Sequence, residues 1–413
     1  MIMTDMTLSA ELQWRGQIKD KTFPDITWLD DPKTFYLGVD CSSDSLTIGN
    51  LAVFMMARRL RKHGWKAVLL VGGATSLIGD PGGKEEERDL KPREEIQANV
   101  TAIKKQFDQL FSGMDYTSVD NFDWFKDVGY LEFLREVGKQ YSMTELLQRD
   151  FISARIGEGG SGISYAEFSY SLIQGYDYWQ LFKNHEVVLQ IGGSDQWGNM
   201  LSGVPLIRKK ENSEVHALSM PLVIDKTTGK KFGKSEEGAI WLDPNKTSVF
   251  KFYQFWLNID DDNVEDYLKI YTELDKETVE TLMVEFMNDR AARKAQKTLA
   301  QETTKLVHGA ARAEAAKAAT NVLFGQGAFT DLNSEAVDVL TKELPNTVAS
   351  DDIYQVIVDA GLAASKSEAR NFVSSGAISV NGKKIVEDQQ NPFSNEHNLL
   401  KRGKNSFAIV TRK

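Results

Sequence analysis

Between residues 33 and 73 the chain runs through "KTFYLGVD", "NLAVFMMARRLRKHG" and "WKAVLLVGG". This succession constrains the fold more than any other stretch. The first segment is apolar, β-prone and ends on Asp40. The second, residues 50–64, carries apolar positions on one side, closes with a basic turn and stops at Gly64, which predicts a helix. The third, residues 65–73, reads as a second buried strand. Two strands joined through a helix form a crossover unit and lie parallel. The reading is therefore an α/β fold built on a Rossmann-like parallel sheet. Ligands of such sheets gather at the carboxyl ends of the strands. Three loops that follow strand-like runs, "DSLTIGN" (44–50), "GGATSLIGDPGGK" (72–84) and the end of "LQIGGSDQWGN" (189–199), are expected to share one site. None carries a Gly-x-Gly-x-x-Gly fingerprint opening a helix, which weighs against a dinucleotide oxidoreductase.

A chain of 413 residues has room for two or three domains. Its single cysteine, Cys41, excludes an internal disulfide framework and a cysteine-based zinc site. No apolar run reaches membrane-span length, and the first residues lack the pattern of a signal peptide, so a cytoplasmic protein with no membrane partner is expected. The net charge of −10 argues against a generic nucleic-acid binder. From Lys366 onward, however, nine Lys and Arg face four Asp and Glu. An acidic body with a basic tail is compatible with RNA contact at one end. The expected organisation is a catalytic domain over 1–246 that includes "KFGKS" (231–235), a helical domain over 247–324, a linker punctuated by Gly, Asn and Pro over 325–350, and a small α+β module over 351–413. In that last module the Asn-Gly of "AISVNGKKI" signals a hairpin.

In "FSYSLIQGYDYWQLF" (168–182), read as a helix, Tyr170, Gln174 and Asp177 stand at i, i+4 and i+7 and share one face. A phenol, an amide and a carboxylate make poor core material. They form either a solvated face or a ligand stripe, to which Tyr36 at the end of the first strand can add. Such a set suits a ligand with an ammonium at one end and a hydroxyl at the other. Lys231 and Lys234, on either side of Gly233, suit the neutralisation of phosphate charge that develops during transfer. Lys84 and Arg88 do so in a second loop. Each loop taken alone is equally a solvated, charged turn. Asp195, after a glycine pair, suits ribose hydroxyls or the cap of a helix.

Taken together and in order, "ELQWRG", "TFYLGVD", "DSLTIGNLA", "VGGATSLIGDPGGK", "EFSYSLIQGYD", "LQIGGSDQWGN", "KFGKS", "FYQFW" and "GAISVNGKKI" make the chain resemble the bacterial tyrosyl-tRNA synthetases over essentially its whole length. These are class I aminoacyl-tRNA synthetases. The resemblance implies a Rossmann-like catalytic domain, a helical domain, and a C-terminal RNA-binding domain like that of a ribosomal small-subunit protein. It also implies a two-step reaction. L-tyrosine attacks the α-phosphorus of ATP, which enters with Mg2+, and the tyrosyl group then passes to the terminal ribose of tRNA(Tyr). No covalent enzyme intermediate and no protein-bound metal are expected.

The resemblance assigns Tyr36 and Asp177 to the substrate phenol, and Tyr170, Gln174 and Asp80 to the ammonium, with Thr75 nearby. Gln196 falls near the carboxylate. Gly38, Gly192 and Asp195 fall at the ATP ribose, Asp40 close to the nucleotide, and Gly49 where the adenosine lies against the backbone. Ser42 and Thr47 meet the γ-phosphate end, and Lys84, Arg88, Lys231 and Lys234 hold the leaving pyrophosphate. "DSLTIGN" stands in the place of the signature His-Ile-Gly-His, so Thr47 and Asn50 replace two imidazoles with neutral donors. Arg208 and Lys209 suit the acceptor stem. Lys366, Arg370, Lys383, Lys384, Lys401, Arg402 and Lys404 suit RNA phosphates with salt-sensitive binding, or else form a solubilising surface. A two-fold homodimer is implied. The alternatives are a tryptophanyl enzyme of the same fold, against which Tyr36 with Asp177 speaks, and a non-catalytic RNA-binding paralogue, against which the retained lysines and stripe speak.

Overall fold

The computed structural model describes residues 6–80, 91–147, 150–157, 162–235, 238–386 and 391–412. The chain divides into two compact units, one of Met1–Asp243 with Asp260–Asn288, the other of Pro244–Ile259 with Asp289–Lys413. The first holds a sheet of β1 (Thr34–Asp40), β2 (Lys66–Gly72), β3 (Thr117–Asp120), β4 (Leu189–Gly193) and β5 (His216–Met220) in the order β3-β2-β1-β4-β5. All pairings in it are parallel, as the crossover pattern requires. β1 and β2 are the central hydrophobic runs, buried on both faces. Strand order reverses between β1 and β4, so their carboxyl ends flank the crevice where such sheets bind ligands. "KFGKS" ends in β6 (Lys234–Ser235), which pairs with β7 (Gly238–Ala239) as a two-stranded ribbon.

The helices up to this point are α1 (Leu8–Trp14), α2 (Ile48–Lys62), α3 (Arg93–Leu110), α4 (Phe122–Phe125), α5 (Tyr130–Glu136), α6 (Met143–Leu147), α7 (Asp150–Ile156), α8 (Tyr165–His185), α9 (Trp197–Met200) and α10 (Gly203–Glu211). After α11 (Val249–Leu257), which belongs to the second unit, the first is completed by α12 (Val264–Tyr271) and α13 (Lys276–Asn288). The expected boundary at 247 is thus replaced by an interleaved one.

The cause lies in α2. The expected one-sided helix is buried nearly all round, Arg58 and Arg59 included. Arg59 donates to the carbonyls of Lys269 (3.0 Å), Ile270 (3.0 Å) and Thr272 (2.8 Å) and to Gln17 Oε1 (2.9 Å). Arg15 donates to the carbonyls of Lys269 (2.7 Å), Thr272 (3.4 Å) and Leu274 (2.7 Å). The end of a helix leaves its last carbonyls unsatisfied and partially negative, so Arg15 at the end of α1 and Arg59 on α2 clamp α12 onto those two helices. Glu11 accepts from Arg15 (2.8 Å) and lies 2.8 Å from His63 Nε2. Burial pushes its carboxyl up, but the His63 bond and the charges of Arg15 and Arg59 outweigh that and hold it at about 2.

The second unit packs α11 with α14 (Lys294–His308), α15 (Ala310–Leu323) and α16 (Ser334–Glu343). Beside them lies a sheet of β8 (Asn346–Val348), β9 (Ile378–Val380), β10 (Lys383–Lys384), β11 (His397–Arg402) and β12 (Ser406–Thr411) in the order β10-β9-β11-β12-β8. Helices α17 (Ile353–Asp359) and α18 (Lys366–Ser374) complete it. The stretch expected to be a linker therefore carries a helix and a strand. Asn333 caps α16 by accepting from Ala336 N at 2.9 Å, and β8 pairs parallel with β12. The hairpin joins β9 and β10 at Asn381 and Gly382, whose φ values of +49° and +82° suit the left-handed turn that Asn-Gly favours.

Candidate active site

Helix α8 starts with a reciprocal cap between Ser164 and Glu167 and runs through the expected stripe. Tyr170 and Asp177 are buried and Gln174 is half-buried, so the stripe is not a solvated face. Asp177 is only 2 % exposed. Its Oδ1 accepts from Trp124 Nε1 at 2.9 Å and its Oδ2 from Asn121 Nδ2 at 3.1 Å. Burial pushes this carboxyl up, the two donated bonds pull it back, and the nearby Asp40 and Asp120 push it up again, leaving it at about 7. Tyr36, 1 % exposed, tilts its ring against Tyr178 with centroids 5.1 Å apart. Its hydroxyl has no hydrogen-bond partner among the described residues. Burial and the neighbouring Asp177 charge hold that phenol well above its ordinary pKa, so it stays a neutral donor. A buried hydroxyl without a partner carries a desolvation cost that a ligand's polar group relieves.

A second polar cluster lies at the ends of β1 and β2. Tyr170 Oη donates to Asp40 Oδ1 (2.9 Å) and is 3.1 Å from Oδ2, and Thr75 Oγ1 donates to Asp40 Oδ1 at 3.2 Å. Asn121 ties this cluster to Asp177, since its Nδ2 also reaches Thr75 Oγ1 (3.2 Å) while its Oδ1 accepts from Ala74 N (2.7 Å). The glycine pair that opens the loop is sterically required. A Cβ on Gly72 would fall 2.3 Å from Thr75 Oγ1, and one on Gly73 would fall 2.4 Å from Asp120 Oδ1. Asp80, buried nearby, accepts from Gln196 Nε2 (2.5 Å) and Asn199 Nδ2 (3.3 Å). Thr75 and Tyr170 therefore gather on Asp40, which Asn121 links to Asp177 beside Tyr36, while Gln196 gathers with Asn199 on a third carboxylate, Asp80.

Sequence reasoning missed Asn121, Trp124 and Asn199. It also missed Gln190, which stands in register with Tyr36 and is buried with Oε1 unpaired among the described residues. The signal for the first two was "VDNFDW" (119–124), a strand end like the others, but β3 is short and mostly not buried, and its pattern is weak.

At the other end of the crevice Thr47 caps α2. Its N and its Oγ1 both donate to Asn50 Oδ1, each at 2.9 Å. The two residues in the place of the signature histidines are thus bonded to each other. Backbone bonds from Ile48 N to Ile240 O (3.0 Å), Leu242 N to Leu46 O (2.9 Å) and Ile240 N to Gly233 O (3.2 Å) sew "DSLTIGN" to the "KFGKS" ribbon. Lys231 Nζ lies 2.9 Å from Asp195 Oδ2, so Asp195 makes an ion pair and does not cap a helix through that oxygen. Gly38, Ser42 and Gly192 lie on or just after β1 and β4. A Cβ on Gly49 would meet only Thr47 Oγ1 at 3.5 Å, so the protein's own packing does not require glycine there. Lys84 and Arg88 lie outside the described residues, as does the side chain of Lys234. Among the described residues no group of three or more His, Cys, Asp or Glu is set to hold a metal ion, and no helix is long and apolar enough to cross a membrane.

Of the basic residues, Arg208 and Lys209 are exposed in the last turn of α10. In the second unit Lys383, Lys384 and Lys404 are exposed. Lys366 pairs with Asp352 at 2.9 Å, Arg370 lies over Tyr354, and Lys401 lies over Phe407. Arg402 donates to Leu362 O at 2.7 Å and covers Phe372, which gives it a structural task.

Residues 30–325 match the family model described as tRNA synthetases class I (W and Y), and residues 335–410 match that of the tyrosine–tRNA ligase SYY-like C-terminal domain. The chain is 40% identical to tyrosine–tRNA ligase 2 of Bacillus cereus over 98% of its own length and 99% of the relative's. It is also 40% identical to tyrosine–tRNA ligase of Listeria welshimeri, over 99% and 100%. The crystal structure of a C-terminally truncated mitochondrial tyrosyl-tRNA synthetase from Aspergillus nidulans superposes with a TM-score of 0.70 at 30% identity, covering 77% of this chain and 94% of that one.

Proposed function

The chain belongs to the class I tRNA synthetases of the tyrosine and tryptophan group, and from that premise we infer that it is a tyrosine–tRNA ligase. It joins L-tyrosine to ATP as tyrosyl-adenylate and then transfers the tyrosyl group to tRNA(Tyr). The observation that carries the choice of tyrosine is the buried, unpartnered hydroxyl of Tyr36 close to the charge of Asp177. A phenol entering there accepts from Tyr36 and donates to Asp177. Phenylalanine leaves the Tyr36 hydroxyl unpaired and brings Asp177 no donor beyond Trp124 and Asn121. An indole has one donor and no acceptor, so it leaves Tyr36 unanswered.

In this reading Tyr170, Gln174 and Asp80, with Thr75, take the ammonium, and Gln196 takes the carboxylate. Gly38, Asp40, Gly49, Gly192 and Asp195 receive the nucleoside. Ser42, Thr47 and Asn50 meet the triphosphate. Lys84, Arg88, Lys231 and Lys234 stabilise the pyrophosphate as it leaves, where charge builds in the transition state. The carboxylate of tyrosine is itself the nucleophile, so the protein supplies position and charge. Mg2+ enters with ATP as part of the substrate. Arg208 and Lys209 face the acceptor stem, and Lys366, Arg370, Lys383, Lys384, Lys401, Arg402 and Lys404 face tRNA phosphates, with the protein working in the cytosol.

The dimer implied by the family has a candidate face. Tyr130, Leu131, Met143, Leu147, Ile156 and Tyr165 expose apolar surface along α5 to α8, and Tyr130 and Tyr165 hydroxyls lie 3.4 Å apart. Sedimentation of Leu131→Asp as a monomer would support that face.

The decisive assay is exchange of labelled pyrophosphate into ATP with each amino acid. Exchange that depends on tyrosine is expected. No exchange with tyrosine, or better exchange with tryptophan, overturns the reading.

A further inference from the structure

Phe232, inside "KFGKS", is only 8 % exposed. Its ring lies 4.2 Å from that of Tyr267 and 5.8 Å from that of Tyr271, centroid to centroid. Both tyrosines are fully buried and stand at i and i+4 on α12, on one face of that helix. The same helix holds the incoming arm of the loop. Asn263, which precedes it, accepts from Lys226 N at 2.9 Å and donates to Asp225 Oδ1 at 3.2 Å. Helix α12 is in turn clamped to α2 by Arg59 and to the end of α1 by Arg15, and α2 begins at the Thr47 cap. Immediately after Phe232 comes Gly233, whose φ of +119° suits only glycine and whose added Cβ would lie 3.5 Å from Gly49 N.

We propose that Phe232, seated on Tyr267 and Tyr271, is the positioning residue of the activation step. It fixes the base from which Lys231 and Lys234 extend, at a set place relative to the start of α2. It touches no substrate and acts through the two lysines. Two sticky cations on a loop reach a developing phosphate charge only when the loop's base is held, and a misplacement of about 1 Å costs about a hundredfold in rate. The inference rests on the tyrosine–tRNA ligase reading.

The test compares the wild-type protein with Phe232→Ala, Tyr267→Ala and the double variant in tyrosine-dependent pyrophosphate exchange, with thermal melting measured alongside. Phe232→Ala is expected to slow kcat about a hundredfold and raise KM for pyrophosphate, with KM for tyrosine within about twofold of wild type. Phe232→Trp, which keeps a ring, is expected to restore most of the rate. Tyr267→Ala should behave like Phe232→Ala, and the double variant should be no more than about threefold worse than the poorer single one, because both remove one contact. If Phe232→Ala melts below the assay temperature, Phe232→Leu carries the comparison. A lowered Tm with wild-type exchange, or effects that multiply, overturns the inference. Lack of exchange by the wild-type protein defeats the ligase reading before any variant is compared.

Discussion

Trp124 donates its indole N–H to Asp177 at 2.9 Å, so this buried carboxylate is held by a residue from a different helix, with Asn121 on its other oxygen. Both oxygens of a buried acid are thereby oriented, and under the proposed function its protonation state sets what it offers a substrate phenol.

The first prediction follows from its pKa of about 7. A phenol donates more strongly to a carboxylate than to a carboxylic acid. The ratio of kcat/KM for tyrosine to that for phenylalanine should climb as pH rises through about 7, because kcat/KM reports the free enzyme. A flat ratio between acid and alkaline pH would exclude Asp177 from the phenol site. The contribution of the same group to stability runs the other way. Its pKa is raised from 3.8 to about 7, so the folded protein binds this proton more tightly than the unfolded chain, and its contribution falls as pH rises across that window.

Trp124→Phe removes one donor to that carboxylate and keeps the ring. The loss of a hydrogen bond to a charged group is worth about 1.5–3 kcal/mol. Discrimination against phenylalanine should fall about tenfold or more, and the midpoint of its pH profile should move upward. Discrimination equal to wild type would mean that Trp124 only packs.

Lys231 and Asp195 form an exposed pair, and exposed pairs contribute about 0–1 kcal/mol to stability. Lys231→Ala should therefore melt within about 1 kcal/mol of wild type. Under the proposed function the variant removes a charge from the leaving pyrophosphate and should slow exchange about a hundredfold or more. Parallel loss of stability and rate would point to a structural lysine.

Thr47→His tests the departure from the signature. The Thr47 hydroxyl is committed to Asn50, and losing that contact should cost the start of α2 about 1 kcal/mol. Tyrosine binding should not change, and adenylate formation should change by less than about 1.4 kcal/mol, a factor of ten. A larger change in the activation rate would show that the hydroxyl is no working substitute for imidazole.

Arg59→Met leaves the carbonyl of Ile270 without a cation and those of Lys269 and Thr272 with Arg15 alone, and should cost about 3–5 kcal/mol by denaturant unfolding. Glu11 belongs to the same cluster. Its pKa is lowered from 4.5 to about 2, so the stability it supplies is full above 4.5 and is lost as pH falls toward 2. Glu11→Gln should flatten the stability profile across that window.

What was legible in the sequence is what local pattern encodes. The runs around Tyr36 and Val68 announced parallel strands, Tyr170 and Asp177 declared a shared helix face by spacing, and Asn381-Gly382 announced its hairpin. Where a residue's task depended on a distant partner, pattern was silent. Arg59 read as part of a basic last turn, while its partners are carbonyls more than 200 positions away. Asn333 read as loop punctuation, while its oxygen caps a helix. Asn121 and Trp124 follow a strand too short and exposed to give a period, and only the folded crevice brings them to Asp177.

The Arg59 clamp also bears on synthesis. Its acceptors lie 210, 211 and 213 residues further along the chain. All five strands of the first sheet have been made once Met220 is in place, yet Arg15 and Arg59 still wait for the segment from Lys269 to Leu274. Until then only Glu11 and Gln17 answer them, and burying a guanidinium with donors unmet is costly, so a growing chain has every strand of its first sheet well before it is able to bury that sheet's flank. A chain that stops between those two points has five strands and leaves both guanidiniums short of their carbonyl acceptors.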